Sequence, residues 1–247
     1  MEQAIGTVMK KPKAFLLVGS PKGTKSSSYS MGGYLIRKLD AGSVATESMS
    51  VGQALHSEEN ISRMLEAVDA ADLVVVAFPL YVDQLPAPLV KAAELIAERR
   101  RQPDGRTSHT TESLSSDPGP RTQKLMVIVN CGFPEAHQNQ PAVDIMRKFA
   151  TETGFHWAGA LALSMGGAVS GTPLEKAGGR VRNVVKALDL AAASLIAGGD
   201  VPPEAASLMG RPFIPKWLYC AFANIGWRQQ ARKHGVRDKI SARPYAS

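Results

Sequence analysis

The sequence predicts a doubly wound α/β protein: a five-stranded parallel sheet in the order 2-1-3-4-5, helices on both faces, and a basic helical extension at the carboxyl end. Three observations carry that reading. Strand-like and helix-like segments alternate five times along the chain, and parallel neighbours need crossover connections of this kind, which are right-handed. The segments at 73–78 and 125–129 are continuous apolar runs, the signature of strands covered on both faces. Five repeats favour this strand order over the six-stranded dinucleotide fold.

The elements follow in order. Lys13–Val18 is a short apolar strand that stops in the turn formers Gly19-Ser20-Pro21-Lys22-Gly23. Residues 26–39 are expected to be helical, with serines as N-cap candidates and Tyr34, Leu35 and Leu39 at helical spacing. Gly32-Gly33 weakens that helix. Residues 43–48 form a weaker strand, and Ser57 caps a helix over 57–70 in which Ile61, Met64, Leu65 and Val68 repeat at i, i+3, i+4, i+7. The strand at 73–78 ends at Phe78-Pro79. Prolines lead into a helix over 86–101 with Leu89, Ala92, Ala93 and Ile96 on one side and three closing arginines that suit the helix dipole.

Residues 102–123 turn to Ser, Thr, Pro, Gly and mixed charge, too polar to fold alone, and read as a flexible insertion. The strand at 125–129 ends at Asn130-Cys131-Gly132-Phe133-Pro134, and a helix over 141–153 is stopped by Gly154. A fifth strand at 155–163, a loop at Gly166-Gly167 and a long helix over 175–197 complete the alternation. That helix is expected to turn Val181, Val184, Val185, Leu188 and Ile196 inward.

A chain of 247 residues, 44% hydrophobic and 21% charged, suits one such domain over residues 1–200 plus an extension over 201–247. It contains no run of the ~18 apolar residues that a spanning helix needs, and its amino end lacks the apolar stretch of a signal peptide. A cytoplasmic protein is expected. Cys131 and Cys220 form no C-x-x-C, and the five histidines show no i,i+4 pair, so no metal site is expected. From Arg211 onward eight Lys or Arg stand against Asp238 alone, a surplus of seven that equals the chain's net charge of +7. The basicity therefore belongs to the tail, and a sheet-wide nucleic-acid surface is not indicated.

In sheets of this order ligands sit beyond the carboxyl ends of the strands, at the switch point between strands one and three. The first loop there, Gly19 through Ser28, sets two cations and a cluster of hydroxyls immediately before a helix, which is an anion site in physical terms. Its plain structural reading is a solvated, serine-capped loop. The loop misses the P-loop pattern at Thr24, where a glycine is required, and the next buried strand ends in Phe78-Pro79 rather than a magnesium-holding aspartate. It also lacks G-x-G-x-x-G, so a mononucleotide with a terminal phosphate fits better than a dinucleotide. The second loop, Pro79-Leu80-Tyr81-Val82-Asp83-Gln84-Leu85-Pro86, offers a tyrosine and aliphatic groups to a planar ring, although a lone tyrosine is more often a packing residue. The third, Asn130-Cys131-Gly132-Phe133-Pro134-Glu135, supplies an amide, a glycine and an aromatic, or is a simple strand-to-helix turn. His137, Glu135 and Asp83 read as surface residues.

These three segments resemble the flavodoxin-like NAD(P)H-dependent FMN reductases and related flavin oxidoreductases. Gly19-Ser20-Pro21-Lys22 with the serines at 26–28 looks like the family's phosphate loop, and Pro79-Leu80-Tyr81-Val82 with Leu85-Pro86 looks like its flavin-ring loop. The likeness spans residues 13–197. It implies that Ser20, Lys22, Ser26, Ser27 and Ser28 surround the FMN phosphate, that Pro79, Leu80, Tyr81 and Val82 line the isoalloxazine, and that Asn130, Cys131, Gly132 and Phe133 contact its far edge. It further implies NAD(P)H as co-substrate, no catalytic side chain beyond the flavin, and a quinone, free flavin, or nitro- or azo-aromatic acceptor in a ping-pong scheme. Homodimers or higher homo-oligomers are expected, since flavin sites of such reductases lie at subunit contacts. The iron–sulfur branch is not matched, because residues 102–123 hold no cysteine. An electron carrier of the flavodoxin type, without its own substrate turnover, is the alternative.

In the tail, Ile214, Trp217, Leu218, Ala221, Phe222 and Ile225 fall at three- and four-residue spacing before Arg228, Arg232 and Lys233. The pattern predicts a short amphipathic basic helix. Packing on the domain or on a second subunit is the leading expectation, and weak contact of residues 213–237 with an anionic membrane surface is the other.

Overall fold

The computed structural model describes residues 11–101, 122–169 and 173–242. The expected insertion at 102–123 lies outside the described residues, except for Thr122 and Gln123. The sheet is five-stranded and parallel, in the order β2-β1-β3-β4-β5. Its strands are β1 (Lys13–Val18), β2 (Ala45–Ser50), β3 (Leu73–Pro79), β4 (Lys124–Asn130) and β5 (His156–Leu163). The fold class read from the sequence is the one observed.

β1, β3 and β4 are buried along nearly their whole lengths, which is why they appear in sequence as unbroken apolar runs. One face turns Phe15, Leu17, Val74, Val76, Val127 and Val129 into a core shared with α2 (Val51–Ala54), α3 (Glu58–Ala70), α4 (Ala87–Arg101) and α5 (Gln140–Glu152). The opposite face carries α1 (Ser27–Ala41) and α6 (Arg182–Ile196). Gly32, a weak point in sequence, is where α1 comes closest to the sheet. A Cβ there would lie 2.9 Å from Leu16 Cδ1 and 3.2 Å from Ala77 Cβ, so glycine's propensity penalty is offset by close helix–sheet packing.

The differences from the sequence reading are local. β2 runs two residues later than 43–48, because Ser43 takes φ 67° in the turn that closes α1. The long helix expected over 175–197 begins only at Arg182, after two 3-10 turns, Leu174–Lys176 and Gly178–Val181, the second opening at the left-handed Gly178. Val181, Val184 and Leu188 are buried as expected, whereas Ile196 is 41% exposed at the helix end.

The chain divides into two compact units between Arg211 and Pro212. The first extends past residue 200 because α7 (Pro203–Met209) buries Ala205, Leu208 and Met209. The Val201 N–H donates to Ala158 O at 2.8 Å, and its side chain fills the space left by Gly159, where a Cβ would lie 2.9 Å from Val201 Cβ. The second unit is built on α8 (Lys216–Lys233). There the apolar side chains do not form one stripe opposite the charge. At 3.6 residues per turn Trp217, Phe222 and Trp227 point in three directions, and Arg228 and Arg232 continue the row of Ala221 and Ile225. Apolar and basic residues are segregated along the helix axis rather than around it, which corrects the expected amphipathic pattern.

Candidate functional site

The carboxyl end of the sheet is bounded by four loops, following β1, β3, β4 and β5. The first begins at Gly19, where an added Cβ would lie 2.8 Å from Leu89 Cδ2. It then makes a 3-10 turn, Gly23–Lys25, and enters α1 through Ser26. Ser26 is the N-cap: its Oγ accepts from the Tyr29 N–H at 3.1 Å and donates to Gly23 O at 2.7 Å. Ser27 Oγ donates to Gly166 O at 2.6 Å, and Ser28 Oγ accepts from Asn130 Nδ2 at 2.9 Å. Ser20 Oγ accepts from the Lys22 N–H at 3.4 Å. All four serines are buried. The hydroxyls that the sequence reading turned toward an anion therefore also organise the loop, and three of them tie it to other parts of the chain or cap the helix.

What the first loop leaves for an anion is mainly backbone. The N–H groups of Ser27 and Ser28, the first two positions of a 15-residue helix, have no intrahelical acceptor. They meet none among the described residues. The positive end of the helix dipole lies behind them, and Lys22 and Lys25 are exposed beside them.

The second loop is rigid for a different reason. Leu80 N–H donates to Asn130 O at 2.8 Å, carrying the β3–β4 ladder past Pro79. Tyr81 and Gln84 then exchange two backbone bonds, 3.0 and 3.1 Å, around Val82 (φ 49°) and Asp83 (φ 59°). Two successive positive φ values make this a type I′ turn, whose usual residues are Asn and Gly. A β-branched valine in the left-handed region costs about 1–2 kcal/mol. Val82 is nonetheless 91% exposed, so no burial of its side chain offsets that strain. Tyr81 is 41% exposed, while Pro79 and Leu80 are half-buried.

In the third loop Asn130 faces inward. Its Nδ2 donates to Ser28 Oγ and, at 3.2 Å, to Phe78 O, so the amide is a buried cross-link between β4, β3 and α1. Cys131 is buried too, within reach of Phe133 O, Glu135 O and Asn139 Nδ2, and burial pushes its thiol pKa up. Of the four residues expected at the far edge of a ligand, Gly132 and Phe133 are exposed, whereas Asn130 and Cys131 act from beneath.

The sequence reading named a loop at Gly166-Gly167 without counting it among those of the site, and it missed a supporting residue. Met165 (φ 53°) donates its N–H to Phe133 O, and Gly166 donates to Cys131 O, each at 2.8 Å. A Cβ on Gly166 would lie 2.6 Å from Asn130 Oδ1. Asn139, fully buried, reaches Leu163 O at 3.2 Å and Ala136 O at 3.1 Å. Its Oδ1 and the Ser164 Oγ are buried without a partner among the described residues. The Gly-Gly pair after β5 was the only available signal, and a lone asparagine gave none. Every loop is thus tied to at least one other: Ser27 to Gly166, Ser28 and Leu80 to Asn130, Gly166 to Cys131, and Met165 to Phe133.

A depression of about 420 Å³ is lined by Tyr34, Leu174, Arg182 and Asp189. Its polar groups answer one another, since Tyr34 Oη donates to Asp189 Oδ1 at 2.9 Å and Lys38 pairs with the same oxygen at 2.9 Å. No cluster of three or more His, Cys, Asp or Glu suited to a metal occurs among the described residues.

No family model matches this sequence, and no curated relative matches it. Solved structures do match by fold. RosB with a bound 8-demethyl-8-formylriboflavin-5′-phosphate is 16% identical, over 87% of each chain, with a TM-score of 0.52. An FMN-dependent NADH-azoreductase from Bacillus anthracis in complex with FMN is 14% identical over 75% of this chain and 99% of its own, TM-score 0.50. The rubredoxin oxygen:oxidoreductase of Desulfovibrio gigas is 14% identical with a TM-score of 0.49, and this chain spans only 36% of its length. At these identities the likeness is one of fold. Together with the observed strand order it defines a flavodoxin-like α/β protein, whose structural neighbours include FMN-dependent NADH-azoreductases and related flavoproteins.

Proposed function

We propose that the carboxyl end of this sheet holds FMN and that the protein is a flavin-dependent oxidoreductase. It would pass electrons from NAD(P)H to a small aromatic acceptor such as a quinone, a free flavin, or a nitro- or azo-compound. The observation that carries this reading is the pair of acceptor-less N–H groups on Ser27 and Ser28 beside Lys22, at the switch point of the sheet. The donor set suits a phosphate dianion: two N–H groups, a helix dipole and a cation. The strained Tyr81–Gln84 turn and the exposed Phe133 supply apolar surface of the kind a flat ring needs. The RosB and azoreductase structures each carry a flavin phosphate, which supports the choice of ligand by analogy of fold.

When bound, FMN supplies the redox chemistry. The chain's part is to hold and orient it. Ser27 and Ser28 N–H bind, Lys22 neutralises, and Asn130 and Gly166 keep the loops at fixed separation.

The test separates the Ser27 N–H from its hydroxyl. Ser27→Ala removes the bond to Gly166 O, while Ser27→Pro removes that bond and the N–H together. Proline is tolerated at a helix's first position, and Ser26 at φ −92°, ψ 153° already has the extended conformation required before it. A hydrogen bond to a charged group contributes about 1.5–3 kcal/mol, so Ser27→Pro should bind FMN roughly ten- to a hundredfold more weakly than Ser27→Ala. Equal affinity in the two variants refutes the phosphate assignment, as does a colourless wild-type protein that takes up no FMN in excess. Anaerobic addition of NADPH or NADH then distinguishes the enzyme, whose yellow colour bleaches at once, from a carrier, whose colour persists.

A further inference from the structure

The carboxyl-terminal unit carries an unusual combination of groups. Residues 217–227 of α8 include no charged side chain, and Trp217, Phe222, Ile225 and Trp227 in this stretch are each more than half exposed. The stretch is free of charge and largely apolar, with Asn224 its one amide and a tryptophan at each end. Cations bracket it, Arg211 and Lys216 before it and Arg228, Arg232 and Lys233 after it, and Asp238 is the one acid from residue 211 to the end of the chain.

We propose that α8 seats the protein on an anionic lipid surface, lying along the headgroup–acyl boundary with residues 217–227 immersed and the flanking cations at the phosphates. A charge-free segment of eleven residues is too short to span, and no described helix is long and apolar enough to cross a membrane. Its length belongs to the class of interfacial segments. Tryptophan favours that depth, because its ring is apolar and its N–H needs a polar partner. Long basic side chains at the ends of an immersed segment reach back to the headgroups. Because apolar residues surround this part of the helix, immersion needs no single hydrophobic face.

Charge chooses the occupant. A second copy of the unit would bring a second surplus of six positive charges, with Asp238 its one acid, whereas an anionic bilayer attracts each cation near its surface. A nucleic acid would satisfy the cations and leave Trp217, Phe222, Ile225 and Trp227 in water. The inference is independent of what the sheet binds.

The experiment is flotation of the full-length protein with vesicles of phosphatidylcholine alone, or with about a third phosphatidylglycerol. The wild type is expected to float with the anionic vesicles at low salt, to be released by high salt, and to remain behind with neutral ones. Arg228→Gln, Arg232→Gln and Lys233→Gln together should weaken binding about tenfold or more. Trp217→Ser with Trp227→Ser should abolish flotation while the far-UV circular dichroism stays unchanged. Failure of the wild type to float on anionic vesicles overturns the proposal, as does equal flotation on neutral ones. A dimer in sedimentation velocity that dissociates on the double tryptophan substitution also overturns it, since the helix would then be covered by a second copy.

Discussion

Gly166→Ala perturbs the rim of the site at its tightest contact. The glycine does not lie at a positive φ, so alanine meets no backbone penalty and its whole cost is steric. A Cβ there would stand 2.6 Å from Asn130 Oδ1 and 3.2 Å from both Asn130 Cβ and Cγ. Asn130 cannot swing away freely, because its amide donates to Ser28 Oγ at 2.9 Å and Phe78 O at 3.2 Å in a buried setting. Gly166 cannot retreat without lengthening its own 2.8 Å bond to Cys131 O or the 2.6 Å bond from Ser27. Overpacking of this kind costs about 1–3 kcal/mol. Asn130→Ala alone should cost roughly 2 kcal/mol, about 1 kcal/mol for each of its two hydrogen bonds. In the double variant the obstructing amide is gone, and adding the methyl group should then cost little, since the 3.2 Å approach to the remaining Cβ is relieved by a shift of a few tenths of an ångström. Urea unfolding followed by far-UV circular dichroism should therefore return a coupling of about 1–3 kcal/mol between the two substitutions. If Gly166→Ala is as damaging in the Asn130→Ala background as in wild type, additive within about 0.5 kcal/mol, the packed contact does not limit the loop and the reasoning fails.

Three further outcomes are expected of the protein. Val82→Asn should raise stability by about 1 kcal/mol, because asparagine adopts the left-handed conformation that valine resists; an unchanged or lower urea midpoint would count against strain in the turn. Thiol titration in the native protein should show Cys220 reacting promptly and Cys131 only on unfolding, since Cys220 is exposed and Cys131 is buried with a raised pKa; two fast thiols would contradict the loop geometry. At the opposite end of the sheet, the hydrogen bond from Lys124 holds the Asp200 carboxyl below the usual carboxylate range, with His156 on its other oxygen. A depressed pKa stabilises the fold above the unfolded value of about 3.9 and loses that contribution as pH falls through the folded one. Asp200→Asn should accordingly be less stable than wild type near neutrality, with a gap that narrows as pH falls below the unfolded value of about 3.9, whereas a gap that stays constant through that fall would exclude the carboxylate as its source.

Strand order and layer assignment were legible because burial on both faces writes itself into sequence as valine-rich runs, and no other arrangement of five alternating units buries them so well. Helix starts were legible where a serine caps: Ser57 Oγ accepts the Asn60 N–H at 3.2 Å, as its position suggested. The start of α6 was not, because its apolar spacing continues backward through two 3-10 turns that bury Leu174 and Val181 at similar intervals. The helical pattern in the tail misled in another way. Spacing counts the residues that fit a stripe and overlooks those that break it, here Trp227 on one side and Arg228 and Arg232 in the stripe's own row.

In sequence the candidate site could be named only as a set of loops. Which atoms do what was hidden, because a serine near a phosphate loop and a serine inside one are written with the same letter. Ser26, Ser27 and Ser28 are buried together because the loop must turn through a 3-10 helix, cap α1 and meet Gly166 within a few residues, and hydroxyls satisfy polar backbone there without bulk. The same bonds hold the Ser27 and Ser28 N–H groups in place before any ligand arrives, which lowers the ordering cost of binding an anion. The serine-rich composition therefore speaks first for preorganisation. On that reading, Ser28→Ala should weaken anion binding only as far as it loosens the link to Asn130, and the loss should follow the fall in stability rather than exceed it.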